Sequence, residues 1–221
     1  AAYQPLRRAA LCSDWPGTVY RVCGMPPPSS GHLAILQILG LLAALPADGA
    51  GPGPLGRDGL PQERWLHRYV EASRLAFADR AAYVADPAFV DPPGGDWQRL
   101  LAPDYLARRA ALIGPVRMAQ APAGDPAPGA GRSALQPEQP ERGTSHLSIV
   151  DAEGRAVALT TSIEAGFGAH VMADGGTGLP GGYLLNNQMT DFSLAPTDAQ
   201  GRPVANRVQP GKRPRSSMAP T

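Results

Sequence analysis

A threonine preceded by a glycine stands at the head of a strand-like run in the last third of the chain. Thr144 follows Gly143, and the alternating segment 145–150 comes next. A cut between the two residues would give the threonine a free α-amine, which can take the proton of its own hydroxyl. The same hydroxyl could first attack the Gly143 carbonyl, because glycine has no side chain to hinder the approach. The pair therefore predicts self-cleavage followed by nucleophilic catalysis.

Threonine also begins strands for its β-propensity alone, so the position of Thr144 has a purely structural explanation as well.

A second hydroxyl is expected beside this threonine. The segment 145–150 and the following run 156–163 are predicted to form a hairpin, with Gly154 in the left-handed position that ends a three-residue loop. Such a loop places Ser162 opposite Thr144, to within about one residue.

Four short blocks occur in order along the chain: 25–31 (MPPPSSG), 144–146 (TSH), 184–193 (LLNNQMTDFS) and 212–221 (KRPRSSMAPT). In content, order and spacing they resemble the γ-glutamyltranspeptidase family, from about Tyr20 to the last residue. The resemblance implies an α+β fold of the N-terminal-nucleophile hydrolase class. That fold is a four-layer αββα sandwich, here partial, with Thr144 at the start of a central strand.

The resemblance also implies a role for each residue of the candidate site. Thr144 would be the nucleophile freed by cleavage after Gly143, and Ser162, where familiar members carry threonine, would hydrogen-bond and tune its hydroxyl. The substrate ammonium would be bound by Glu164, Gln188 and Asp191, and the substrate α-carboxylate by Ser216 and Ser217. Asn187 is interpreted as a turn-making amide.

Two of these positions bear on the substrate. Known members of the family have asparagine where this chain has Glu164, so this position leaves the preferred acyl donor undecided. Related acylases that accept glutaryl side chains tend to lose the acid at the position of Asp191. Its presence favours an amino-acid-type acyl donor, whereas an acylase acting on other amides of the same fold is the alternative.

The implied reaction is γ-glutamyl transfer or hydrolysis. The donor would be a small γ-glutamyl compound such as glutathione, and the acceptor an amino acid, a peptide or water. No cofactor and no metal are expected. The net charge of +1 excludes a strongly basic nucleic-acid surface, and the apolar run 33–45 is shorter than the roughly 20 residues that a membrane span needs.

The elements that must position these residues divide into helices before the site and strands within it. Helices are predicted over 32–45, 61–84 and 103–112. In the second, Trp65, Tyr69, Val70, Phe77 and Ala81 recur at helical spacing and predict an apolar face. Asp79 and Arg80 are interpreted as a structural ion pair or cap. Composition predicts a flexible linker over 119–143, and the resemblance implies a large-subunit part over 1–118 and a small-subunit part over 144–221.

The two cysteines and the ends of the chain leave alternatives open. Cys12 and Cys23 could form one disulfide between neighbouring strands, or remain free thiols, and a hairpin or extended segment is predicted over 14–25. The family's oxyanion Gly-Gly pair and its carboxylate-binding arginine are absent from the 221 residues. We therefore expect the middle of a longer protein, inactive alone, with a non-catalytic core fragment as the alternative. No signal peptide is recognised, although the resemblance suggests a periplasmic or secreted protein.

Overall fold

The computed structural model describes residues 4–15, 18–47, 53–129, 133–137, 139, 143–178 and 180–221. The described residues begin with one antiparallel strand pair, continue with three helices and end with two further antiparallel strand pairs. The helices are α1 (Gly31–Ala43), α2 (Glu63–Tyr83) and α3 (Pro103–Ala110), and the strands are β1 (Leu11–Asp14), β2 (Arg21–Gly24), β3 (Ser145–Val150), β4 (Ala156–Thr161), β5 (Met172–Ala173) and β6 (Tyr183–Leu184). Short 3₁₀ helices cover Pro93–Gly95, Trp97–Leu101 and Gln188–Asp191.

The helices form the core of the molecule. α1 is apolar on most sides, which is typical of a helix enclosed by its neighbours, and it packs against both α2 and α3. Leu33 and Leu36 join one buried cluster with Tyr83 and Tyr105, while Leu41 and Leu75 lie in a second. No helix among the described residues is long and apolar enough to span a bilayer.

The prediction for α2 is wrong, because the structure buries a different face of this helix. Tyr69, Val70 and Phe77 are 42–51% exposed, whereas Ala72 and Ala76 are fully buried, among other residues on that side. Small side chains allow α1 and α2 to approach closely. The buried side of α2 combines alanines and Leu75 with polar residues such as Glu71 and Asp79, and it ends at Tyr83. The large apolar residues that suggested the opposite face lie mostly at the surface.

Asp79 is a structural residue, as predicted, but its partner is Arg109 of α3 rather than its neighbour Arg80. The carboxylate is fully buried and accepts from Arg109 at 3.1 Å, Tyr105 at 2.7 Å and Gln37 at 2.5 Å. Burial raises the pKa of Asp79, and the arginine and the hydrogen bonds oppose that shift. The cluster connects all three helices.

The first part of the segment predicted as a linker is held against this cluster. The Gly124 amide donates to Asp79 at 2.7 Å, and its carbonyl accepts from Tyr83 at 2.7 Å. Residues 130–132, 138 and 140–142 lie outside the described residues. The proposed division at 118 and 143 stays a prediction.

The N-terminal hairpin begins earlier than expected and is closed by a disulfide. β1 and β2 pair with Cys12 directly opposite Cys23, and the two sulfurs are bonded. This settles the alternative that the sequence left open. The residues of the turn expected at Pro16 and Gly17 lie outside the described part of the chain.

Candidate active site

The register of the β3–β4 hairpin brings Thr144 and Ser162 together. Ser145 pairs with Thr161, and one residue beyond this pair Thr144 lies opposite Ser162. The Thr144 hydroxyl donates to Ser162 Oγ at 3.1 Å. The bounds of β3 and this juxtaposition confirm the prediction, whereas β4 ends two residues earlier than expected, at Thr161.

The Ser162 hydroxyl touches both sides of the Gly143–Thr144 junction. It donates to the Gly143 carbonyl oxygen at 3.2 Å and accepts from the Glu164 amide at 2.9 Å. Donation to a carbonyl oxygen draws electron density from the carbonyl carbon and stabilises the negative charge that develops there during nucleophilic attack. One side chain can therefore orient the Thr144 hydroxyl and polarise the carbonyl that precedes it.

Glycine is required at position 143 for two reasons. Its φ is +54°, in the left-handed region that other residues adopt at a cost. A Cβ at this position would also lie 2.9 Å from the Glu164 carbonyl oxygen. A side chain here would strain the backbone next to the nucleophile.

Glu164 occupies a strained position in the loop after β4. Its φ is +72°, which asparagine tolerates better than glutamate, and the residue is buried. Asn187 donates from Nδ2 to Glu164 Oε2, and its Oδ1 accepts from the Ala165 amide at 2.9 Å. Asn187 thus fixes the Glu164 loop, a role that its interpretation as a turn-making amide missed.

Gln188 and Asp191 lie on one side of a single 3₁₀ turn. In a 3₁₀ helix, residues three apart are nearly eclipsed, so the spacing places both side chains in the same direction. The fully buried Asn206 donates to the Asp191 carbonyl at 2.7 Å and to Gln136 Oε1 at 3.0 Å. This anchors the turn to the segment before the nucleophile.

The double serine is held by the segment that leads into α1. Ser29 and Ser216 form a parallel bridge, in which the Ser30 amide donates to the Ser216 carbonyl at 2.7 Å. Ser30 Oγ donates to the same carbonyl at 2.8 Å. The Pro-Pro-Pro-Ser-Ser-Gly block therefore has a structural purpose: it fixes the backbone of Ser216 and Ser217.

These elements bring every predicted site residue except Gly143 to one small pocket. It contains a potential nucleophile, two carboxylates and three serine hydroxyls. Its lining is Thr144, Ser162, Glu164, Gln188, Asp191, Ser216 and Ser217, with Met218. The catalytic and binding roles of these residues stay predictions.

His146 is not placed as a base for Thr144. It lies two residues further along β3, on the same face, because side chains alternate along a strand. Its ring nitrogens lie 2.8 Å from Thr160 Oγ1 and 2.9 Å from Ser148 Oγ. Both nitrogens therefore face other hydroxyls, so the base nearest in sequence would be the α-amine that the predicted cleavage frees.

Arg80 reaches the site although sequence reasoning gave it only a structural role. Its Nη2 donates to Ser217 Oγ at 2.6 Å, and its Nε donates to Ser30 Oγ at 2.7 Å. The sequence contained only an indirect signal for this contact: two of the four blocks carry a serine pair, and a role was predicted only for the pair at 216–217. Within the described ranges, no three His, Cys, Asp or Glu residues are grouped to hold a metal ion.

The chain matches known proteins along its whole length. The model of a family described as gamma-glutamyltranspeptidase matches residues 1–221. The chain is 38% identical over 226 residues to the glutathione hydrolase proenzyme of Pseudomonas aeruginosa, covering 100% of this chain and 36% of that protein. It is 37% identical over 202 residues to the acylase ACY 1 proenzyme of Pseudomonas sp. strain SE83, covering 91% and 30%.

A solved structure also resembles the chain. The crystal structure of cephalosporin acylase from Bacillus halodurans superimposes with a TM-score of 0.67 at 26% identity, covering 98% of this chain and 32% of that one. The chain thus spans about a third of the length of the curated relatives it matches.

Proposed function

The chain belongs to the γ-glutamyltranspeptidase family, and on this premise we propose that it carries the nucleophile and the donor pocket of a γ-glutamyl hydrolase and transferase. Its α+β arrangement is part of the N-terminal-nucleophile hydrolase fold, as the sequence predicted. The observation that carries the proposal is the chain of hydroxyls from Thr144 through Ser162 to the Gly143 carbonyl, set in a pocket with two carboxylates.

The first step of the proposed function is self-cleavage. Thr144 Oγ1 attacks the Gly143 carbonyl carbon, the C–N bond of the peptide breaks, and the hydroxyl proton passes to the nitrogen, which becomes the free α-amine. Ser162, which donates to that carbonyl oxygen, stabilises the charge in the tetrahedral intermediate. Water then hydrolyses the ester and frees Thr144.

Turnover repeats the same chemistry on a substrate. The α-amine takes the Thr144 hydroxyl proton, Oγ1 forms an ester with the γ-carbonyl carbon of the donor, and the proton passes to the leaving amine. Water or an acceptor amine then releases the γ-glutamyl group. Glutathione-type donors are favoured because the relatives include a glutathione hydrolase proenzyme.

The two carboxylates support an amino-acid-type donor. Glu164 and Asp191 line the same pocket, and a substrate ammonium would pair with both. An acylase acting on dicarboxylyl or cephalosporin-type amides is the second candidate, favoured by the acylase ACY 1 relative. We also expect residues 1–221 alone to turn over little or no donor, because none of these residues matches the glycine pair that forms the oxyanion hole in the family.

Release of a chromophore from a γ-glutamyl anilide by the whole protein tests the proposal. Thr144→Ala should abolish both this turnover and the cut at Gly143–Thr144, since one hydroxyl serves both. Thr144→Ser, which keeps a hydroxyl, should retain part of each activity. A Thr144→Ala protein that is still cut after residue 143, as judged by mass spectrometry, would show that the nucleophile lies elsewhere.

A further inference from the structure

A strap formed by residues 133–137 and 139 contacts the loop 190–206 shortly before the proposed cleavage point. At the start of the strap, the buried Ala134 donates from its amide to the Pro203 carbonyl at 3.0 Å. The chain that leads to the cut is therefore attached to a segment that follows the cut.

Gln139 attaches the other end of the strap. Its Nε2 donates to the carbonyls of Thr190 and Phe192, both at 3.0 Å, and its Oε1 accepts from the Leu194 amide at 3.3 Å. A primary amide has two N–H donors and one acceptor oxygen, so both ends of this side chain are used. Because all three partners are backbone groups, the contact depends on the residue at position 139 and little on the side chains that it meets.

The turn that Gln139 contacts has supports of its own. The Thr190 amide donates to the Asn187 carbonyl at 3.0 Å. The buried Asn206 donates to the Asp191 carbonyl at 2.7 Å. Removal of the Gln139 side chain therefore leaves the turn, and the pocket residues on it, with these contacts.

The position of the strap depends on Gln139 more strongly. Gln139 is the last described residue of the strap, four positions before Gly143, and a chain of that length reaches about 14 Å at most. Without this anchor, the nearest one is Gln136, which Asn206 contacts, and the reach grows to about 25 Å. The anchor thus restricts the positions and directions open to the Gly143 carbonyl.

Self-cleavage requires such restriction. The hydroxyl of Thr144 must approach the Gly143 carbonyl carbon in a near-attack geometry, and small misplacements of reacting groups cost a large part of the rate. The carbonyl oxygen accepts from Ser162 at 3.2 Å, which is one exposed contact. A second restraint on the same carbonyl, from the strap, keeps it on Ser162.

We propose that Gln139 is a positioning residue for self-cleavage, which holds the Gly143 carbonyl in place for attack by Thr144. This inference rests on the self-cleavage step of the proposed function. The role ends with the cut, because turnover of a donor no longer involves Gly143. A change at position 139 therefore slows the cut and leaves turnover by the cleaved protein as it is.

The test follows both reactions in the whole protein. Newly translated, labelled chain is incubated, and denaturing electrophoresis of timed samples gives the first-order rate constant of cleavage. Gln139→Ala should lower this constant about 10-fold or more, the effect expected when two or three neutral hydrogen bonds are lost. Values of kcat and KM for a γ-glutamyl anilide, expressed per cleaved molecule, should equal those of the wild type.

Gln120→Ala is the matched control. Gln120 belongs to the same predicted linker and is exposed, so its replacement should leave the cleavage constant unchanged. Gln139→Glu keeps the size of the side chain but sets a carboxylate against two carbonyl oxygens. It should therefore be cleaved at least as slowly as Gln139→Ala.

Cleavage of Gln139→Ala at the wild-type rate would overturn the inference, and so would an equal slowing in Gln120→Ala. A fall in kcat/KM of the cleaved Gln139→Ala protein by the same factor as its cleavage constant would reveal a general effect on the pocket and would overturn it as well. If Gln139→Ala does not fold, Gln139→Glu decides by the same two measurements. A wild-type protein that is never cut at Gly143–Thr144 would instead refute the self-cleavage step itself.

Discussion

The proposed chemistry depends on three neighbouring residues, Thr144, Ser162 and Gly143. The Ser162 hydroxyl accepts from Thr144 and donates to the carbonyl of the preceding residue. Position 143 needs both a left-handed φ and the absence of a Cβ. Two small side chains and a glycine thus satisfy the geometric demands of attack on the adjacent peptide bond.

At the residue scale, we expect substrate preference to depend on Asp191. Asp191→Asn should lower the preference for γ-glutamyl over glutaryl donors, because only the former offers an ammonium, and a lost charge-assisted hydrogen bond is worth about 1.5–3 kcal/mol, or roughly 10- to 150-fold. Glu164 lines the same pocket and retains part of the attraction. The double variant with Glu164→Gln should therefore lose more than the single one.

The measurement is kcat/KM for matched γ-glutamyl and glutaryl anilides. Asp198→Asn provides the control, since Asp198 pairs with Arg202 in a separate turn and does not line the pocket. Equal losses with both donors for Asp191→Asn would remove the ammonium role from this residue.

At the scale of elements, the packing of α1 against the N-terminal hairpin depends on His32. The ring is fully buried, and a Cβ at Gly24 would lie 2.3 Å from it, so β2 passes directly over the imidazole. Its Nδ1 lies 3.1 Å from Thr221 Oγ1. Burial lowers the pKa of His32, because the charged form is disfavoured away from water.

A pH dependence of stability follows from that direction. Below the unfolded pKa of about 6.5, the unfolded chain binds a proton at His32 that the folded protein resists, so the free energy of unfolding falls as the pH drops. Above that pH the contribution is fully present. His32→Gln should therefore show a smaller loss of Tm between about pH 8 and about pH 5.5 than the wild type.

His67→Gln is the control for this comparison. His67 lies on α2 and contacts the Gly114 carbonyl at 2.8 Å, so its replacement removes a histidine that has no part in the contact with Gly24. Thermal unfolding at several pH values decides the matter. Parallel pH profiles for the wild type and His32→Gln would exclude this histidine as the titrating group.

At the scale of the whole molecule, the segments before and after Gly143 are joined by many contacts besides the peptide bond. The Arg213 amide donates to buried Asp86 at 2.9 Å, and Arg215 donates to the Arg80 carbonyl at 3.0 Å. Ala134 and Val204, both buried, form a further bridge. The fold therefore does not depend on continuity of the chain at the proposed cleavage point.

We expect the two pieces to stay together after cleavage. Under native conditions they should elute as one species in size-exclusion chromatography, and in denaturing electrophoresis they should separate. Because Cys12 and Cys23 both lie before the cut, the disulfide cannot link the pieces, and a reducing agent should not separate them. Elution of two species without denaturant would contradict this expectation.

Local patterns were sufficient for several features of this protein. Alternation and a glycine at the end of a three-residue loop predicted β3 with its observed bounds, and they predicted Ser162 beside Thr144. Both follow from contacts between residues near in sequence, where backbone geometry leaves few choices. The helices were likewise recognised, with bounds that differ by one or two residues.

Other features were decided only when distant segments came together. The buried face of α2 consists largely of alanines and charged residues, which carry little hydrophobic signal, so the pattern of large residues indicated the wrong side. Arg80 touches Ser217, 137 residues later in the chain, and the donor that orients a hydroxyl cannot be read from the residues around it. The sequence by itself determined the nucleophile candidate and its hairpin partner. Tertiary packing decided which side chains stand behind the pocket, because contacts between distant residues depend on how the helices and loops pack in three dimensions.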